Sequence, residues 1–461
     1  MDRTSDRRCV DRRTFLAASA TFGAGAVLRL TNDAGAAPLG ASFASRNDQR
    51  PIVERRTIDE LVKSDPAEAA SIRHAYANMF AWSKTHPNDP RSWDQQKIVH
   101  SLANERGALD PHYMIHGSHH FFPWHRAYLY FHERILAWHL TGRTSLDPTF
   151  RLPVWGWEAN LESLNDPTLY TDATDPAGRP NPLLHPRRFL LFERNDTNAL
   201  AAMTFAGRDF FGYRPIVEAS NNGSIENGVH ANIHVDVGGD MGQIHSAAKD
   251  PLFFTHHTNI DRLWSWWNRL AGATAPQTFA DWQHVTWTFA DWDGAPVTVR
   301  ASDLLEHEER LRYSYGKPTL SLIAPRDTAE YRLTRSGSVW QAAHDARRHA
   351  LEARRVALKL LGIRVPGPGH FAVGAVVPGQ APSPQVLGTF IVLNHPKIER
   401  ANAFLDVSDA RAALTHPGGT RLVLMHDPHK HAAHDFSFSY SSKILATTEL
   451  HVPAASLHVA L

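Results

Sequence analysis

The chain has 461 residues, 43% of them hydrophobic, with 48 Lys and Arg against 47 Asp and Glu and a formal net charge of +1. That length suits two or three domains with sizeable cores, and the balanced charge gives no ground for a nucleic-acid or membrane-surface partner. Residues 11 to 16, DRRTFL, followed by the modestly apolar run Ala17 to Leu28 and the small residues Ala34 to Ala37, read as a twin-arginine export signal spanning 1–37. The mature protein is then expected to be periplasmic or secreted, with no membrane span. The only cysteine, Cys9, falls inside that leader. The mature chain therefore has no thiolate ligand or disulfide, and any transition-metal site must use His and carboxylates.

In chain order, apolar residues recur at helical spacing from Ile58 to Lys84, with Asp65-Pro66 as a break or start, and a second helix is expected near Ser92 or Trp93 to carry His100 inward. Pro123 suits the first turn of a helix through AYLYFHERILAWHL, apolar nearly all round and so expected to be buried. A Pro/Asn/Asp-rich loop region reaches about residue 195. Next come His230 and His234, a Gly-Gly break, and a helix through TNIDRLWSWWNRLAG ended by Gly272. WTFADWDGAPVTV has the alternation and Asp-Gly turn of a hairpin in a 280–320 tail. Residues 321–387 read as a linker, helical and basic over 337 to 360 and Pro/Gly-rich over 364 to 387. From Gly388 to 461, short runs (TFIVL, AFLDV, RLVLM, FSFSYS, TELHV) suggest a β-sandwich domain.

The chemistry lies in the histidines. There are 29, and at that density about two i,i+4 pairs arise by chance, so His230 and His234 carry little alone. Their company matters more. His100, His116 and His125 are separated by 16 and 9 residues, and His230, His234 and His257 by 4 and 23, so two triads set on helix pairs would form two three-coordinate sites in one four-helix core. Imidazole-only ligation suits copper, zinc, iron or nickel.

HGSHHFFPWHRAYLYFHERIL and DPLFFTHHTNIDRLW resemble the two copper-binding signatures of the tyrosinase, catechol oxidase and hemocyanin group. NDPRSWDQQKIVH, LPVWGWE, ENGVHANIHVDVGG and FADWDGAPVTVRASDLL are similar to plant polyphenol oxidases, extending the resemblance over roughly residues 50 to 320. It implies a mainly α catalytic domain (50–320) with a four-helix bundle around a dicopper centre, followed by a β domain. It also implies two copper ions held by His100, His116 and His125 and by His230, His234 and His257, with O2 as cosubstrate and small phenols as substrates.

His119, His120 and His256 stand beside these positions as neighbours or rim groups, because in the resembled pattern the second residue of the His256-His257 pair is the ligand. Glu226 matches a carboxylate that orders a water near the second copper; a helix N-terminal carboxylate is the plainer alternative. Asp261 and Arg262 are expected to orient ligands or pair with neighbours, and Asp250 to cap a helix. Three departures concern the substrate. No mature Cys is available to form the thioether on the second ligand of the first copper, so His116 should be freer. Ala231 stands where many monophenol-hydroxylating enzymes have Asn, with apolar Val235 at the same entrance, and Ile244 stands where plant enzymes place a gating Phe.

The expected activity is oxidation of catechols to o-quinones, with monophenol hydroxylation less efficient. The alternatives are a tyrosinase with efficient monophenolase activity, a hemocyanin-like oxygen-binding protein, and a zinc hydrolase, the last disfavoured by six His and no close pair of ligating carboxylates. The β domain and its Pro/Gly-rich link suggest a latent form opened by cleavage at 364 to 387. The cluster His426, His429, His431 and His434 reads as a solvated loop. Oligomeric state is not written in the sequence.

Overall fold

The computed structural model describes residues 41–43, 48–157, 167–186, 188, 208–216, 219–270, 273, 282–318, 327–367, 369–380, 383–392, 399–426 and 446–460. The export-signal reading of 1–37, the FSFSYS run and His429, His431 and His434 lie outside them. The helical unit is built on five helices: α1 (Pro66–Thr85), α2 (Val99–Gly107), α3 (Phe121–Leu140), α4 (Ala231–Val237) and α5 (Leu252–Trp267). Asp65 starts α1 by accepting from the Glu68 amide, with Pro66 in the first position, where its missing N–H costs nothing.

Every residue of α3 from Phe121 to His139 is buried, and so is every residue of α5, so these two helices form the spine of the core. The Asp-Gly hairpin forms as expected between β1 (Thr286–Ala290) and β2 (Pro296–Arg300). Its turn closes through the Asp291 amide to the Ala295 carbonyl, with Gly294 at φ +80°. Its Trp287, Phe289, Val297 and Val299 join the helical core.

The β unit begins earlier than the composition suggested. Its first strand is Thr328–Arg332, and the helix expected over 337 to 360 covers only His344–Glu352. Arg355–Arg364 (β3) is a strand whose alternating Val356, Leu358 and Leu360 enter the sandwich core. Its other face carries Ala357 and Lys359 toward the helical unit, so both faces are covered and the run has no clean polar alternation. The stretch read as a Pro/Gly-rich link contains β4 (Gly369–Val376) and the start of β5 (Gln385–Val392). Pro366, Pro378 and Pro384 fall between its strands. Strands β6 (Arg400–Asp406), β7 (Thr420–His426) and β8 (Ala454–Ala460) complete two packed sheets.

The two units are joined by backbone pairing. The two-residue strand Ala219–Ser220 of the helical unit adds parallel to β6, pairing Ala219 with Arg400 and Ser220 with Ala401. Around this seam, Lys359 Nζ reaches Asp209 at 2.7 Å and Asn402 Nδ2 donates to the Asn222 carbonyl at 3.3 Å. Among the described residues, no helix is long and apolar enough to cross a membrane.

Candidate metal centre

The structure brings the six expected histidines together as two facing groups. His100, His116 and His125 offer ring nitrogens all within 4.8 Å of one another, and so do His230, His234, His256 and His257. Across the gap the His125 and His257 rings stack at 4.3 Å and His116 lies 6.0 Å from His230. His100 sits on α2, His125 on α3, His234 on α4 and His257 on α5. The expectation that each triad sits on a helix pair fails at two places. His116 is on the loop before α3, and His230 closes a wide turn, Glu226–His230, in which Gly228 leaves helical geometry at φ −89°, ψ −110°.

Local hydrogen bonds fix the rings. Nδ1 of His125 donates to the Phe121 carbonyl at 2.7 Å, that of His230 to Glu226 at 3.0 Å and that of His234 to Met241 at 2.8 Å. His100 hydrogen-bonds the Ile244 backbone. With the proton held on Nδ1, the lone pair belongs to Nε2. Nε2 of His100, His125 and His230 is buried with no partner among the described residues, and Nε2 of His234 and His257 lie 3.2 Å apart.

Burial pushes the six rings well below the ordinary imidazole pKa, to about 3 for His125 and about 4 for His234, with neighbouring imidazoles lowering His100, His116, His230 and His257 further. Six imidazoles facing one gap, three of them with a buried, unpartnered Nε2, fit a pair of soft-to-borderline dications.

His256 has the opposite chemistry. Trp157 Nε1, which can only donate, gives its hydrogen to His256 Nδ1 at 3.2 Å, which leaves the ring proton on Nε2. A protonated ring nitrogen has no lone pair for a metal, so of the two adjacent histidines the geometry favours His257. His119 and His120 are buried behind the site rather than at its rim, their rings 4.8 Å apart and His120 against Trp287.

Beside the first triad is a cavity of about 30 Å³ lined by His116, Glu226, Ala231, Ile244, Met114 and Ile391, among others. Ala231 and Ile244 line it, and Val235, four residues beyond Ala231 on α4, is not among the lining residues. Glu226 is buried. Its Oε1 accepts the Gly117 amide at 2.6 Å, and Oε2 has no partner among the described residues. Burial pushes its pKa well above the usual carboxylate range, against the Gly117 and Ser118 amides that favour the ionised form. The helix-capping role is thereby set aside, because the carboxylate serves amides of another segment. Ile391 comes from β5 of the second unit and could not be read from local sequence.

His116 is not free. Its Nδ1 donates to Asn104 Oδ1 at 2.7 Å. Asp250 accepts the Leu252 amide at 2.9 Å, as a cap does, and also binds Arg188 at 2.5 Å. Asp261 accepts from Arg126 at 2.5 Å and from the Tyr313 and Tyr315 hydroxyls at 2.6 Å each; Arg262 donates to Asn259 at 2.9 Å. These two pair with neighbours.

A helical core with two facing histidine groups and a β unit packed over it defines a dinuclear metalloprotein. Residues 90–205 and 187–270 match the model of the common central domain of tyrosinase. The chain is 34% identical over 278 residues to the latent-form polyphenol oxidase of Prunus armeniaca, covering 52% of this chain and 46% of that one. It is 31% identical over 297 residues to (+)-larreatricin hydroxylase of Larrea tridentata, covering 56% and 49%. The chain thus spans about half the length of the curated relatives it matches.

Among solved structures it is similar to latent apple tyrosinase (TM-score 0.60, 22% identity, 89% and 97% coverage) and to deoxygenated hemocyanin of Rapana thomasiana (TM-score 0.57, 16% identity, 89% and 100% coverage). Residues 90–270 thus carry a match to the common central domain of tyrosinase, and the relatives that the chain resembles over about half of their length are polyphenol oxidases.

Proposed function

We propose that this protein is a copper-dependent phenol oxidase that takes o-diphenols to o-quinones, two catechols losing four electrons and four protons as one O2 becomes two waters. The observation that carries the reading is the pair of facing imidazole groups, with unsatisfied Nε2 atoms, opening beside a cavity that holds a carboxylate. The six ligands are His100, His116, His125, His230, His234 and His257. When bound, the two coppers carry the electrons between phenol and O2.

The remaining work belongs to side chains. The amides of Gly117 and Ser118 hold one oxygen of Glu226, and its free Oε2 faces the space where a phenolic hydroxyl or a bridging water would sit, so Glu226 accepts the proton. Ile244 and Met114 supply apolar contact to the ring. Ala231 has no hydrogen-bonding group to hold that water, so a monophenol, whose hydroxyl is harder to ionise than a catechol's paired ones, loses its proton slowly. Replacing Ala231 with Asn should raise the initial rate on a tyrosine-like substrate by roughly tenfold or more relative to the catechol rate, the scale of one positioned proton-transfer partner. An unchanged ratio of initial rates would remove Ala231 from the argument.

A reversible oxygen carrier is the second reading, favoured by the hemocyanin-like fold and by Ile391 of the second unit in the cavity wall. Quinone formation from catechol by the copper-loaded protein, assayed with the β unit in place and released, decides between them. O2 binding without turnover in both forms sinks the oxidase. Residues 1–37 are proposed to direct twin-arginine export; retention in the cytoplasm of a reporter fused to them would remove that reading.

A further inference from the structure

Main-chain groups anchor four of the six rings, and the Asn104 side chain meets two. His100, His125, His230 and His234 are held by main-chain groups, and His257 Nδ1 has no partner among the described residues. Main-chain anchors survive any substitution. The His116 ring is anchored by the Asn104 side chain, sits on a loop and is partly exposed, and the same Asn104 places Nδ2 3.3 Å from His100 Nδ1.

We propose that Asn104 is the positioning residue of the first metal site, setting both the tautomer and the direction of His116. Asn104 lies four residues after His100 on α2 and is buried. Its amide is oriented without ambiguity: Nδ2 donates to the His100 carbonyl at 2.9 Å, so Oδ1 faces His116 and can only accept. The His116 proton is thereby placed on Nδ1 and the lone pair on Nε2, facing His100 and His125, whose ring centres lie 4.9 and 5.0 Å away. One amide links two ligands, coupling a loop histidine to the rigid helix that carries its partner. Such supports typically govern metal affinity by 10- to 100-fold.

The inference rests on the six-histidine reading, and its test separates the two. The full-length copper-loaded protein and the variants Asn104→Leu and Asn104→Asp are dialysed against graded concentrations of a copper chelator, with copper per chain and electron paramagnetic resonance measured at each step. Leu keeps the volume without the acceptor, whereas Asp keeps the acceptor. The Leu variant should lose one of its two coppers at roughly 10- to 100-fold lower chelator concentration. It should also show a growing signal of an isolated Cu(II), and the Asp variant should follow the parent.

Loss of both coppers from Asn104→Leu at the parent's concentration overturns the proposal, as does an Asp variant as weak as Leu. If Asn104→Leu does not fold, Asn104→Ala takes its place with the same two outcomes. A parent that never holds two coppers overturns the ligand reading itself, and the Asn104 proposal with it.

Discussion

Releasing the β unit from the copper-loaded protein should raise catechol turnover by at least about tenfold. The cavity beside His116 is lined by residues of both units, with Glu226, Ala231 and Ile244 on one side and Ile391 on the other. Ile391 of β5 supplies part of its wall, and the shielding reading expects β5 to limit entry of the ring. If the withdrawn state is a tenth of the population or less, apparent activity is reduced by that fraction, and removing the wall restores it.

A cut between Pro318 and Asp327 separates the units covalently but leaves their seam intact, because Ala219–Ser220 still pairs with β6 and Lys359 still binds Asp209. The cut is therefore combined with Lys359→Glu, which sets a carboxylate against Asp209 and Glu330, now 2.7 and 3.3 Å from the ammonium. Unchanged turnover, once size-exclusion shows that the β unit has left, would falsify the shielding role. Cleavage within 364 to 387, which composition had favoured, should instead unravel β4 and β5.

What was legible in the sequence follows from the range over which each signal acts. The buried helices α3 and α5 announce themselves through apolar residues on every face, and Asp65-Pro66 and the Asp-Gly hairpin through turn chemistry, all within a few residues. The two triads were legible through the motifs around His125 and His257, which lie on those helices, whereas His116 and His230 stand outside regular helix. The boundary of the β unit was not, since β3 is covered on both faces and its basic neighbours imitate a helix. Ile391 shares a cavity wall with Ile244, 147 residues away, while Asn104 binds His116 across 12 residues and Trp157 binds His256 across 99. No local pattern marks such partners. The expectation of a freer His116 failed for this reason: loss of one covalent restraint was visible, and the hydrogen bond that replaces it was not.

Asp261→Ala should be the most damaging single change in the helical core, lowering stability by roughly 3–5 kcal/mol, the usual cost of leaving buried charges without a partner. Asp261 is almost wholly buried on α5, one turn past His257, and accepts from Arg126 on α3, the residue after His125. Arg55 lies 3.5 Å from the same carboxylate, and the Tyr313 and Tyr315 hydroxyls complete its shell. Burial alone would raise the pKa of Asp261, but Arg126 and Arg55 hold it below the ordinary carboxylate range.

Removing it strands the Arg126 guanidinium, which keeps only the Leu304 carbonyl at 2.8 Å and the face of Trp264. Arg55 retains Glu133 at 2.8 Å. Because the two helices tied here each carry one of the stacked rings His125 and His257, the same variant should also hold copper less tightly. Pairing the change with Arg126→Leu separates packing from charge. If the stranded guanidinium dominates, the double variant recovers 1–3 kcal/mol relative to the sum of the single effects, the range expected for residues in one network. Strictly additive shifts in the denaturation midpoint of the copper-free protein would mean that Asp261 acts through its tyrosines instead, and that α3 and α5 are set against each other by packing alone.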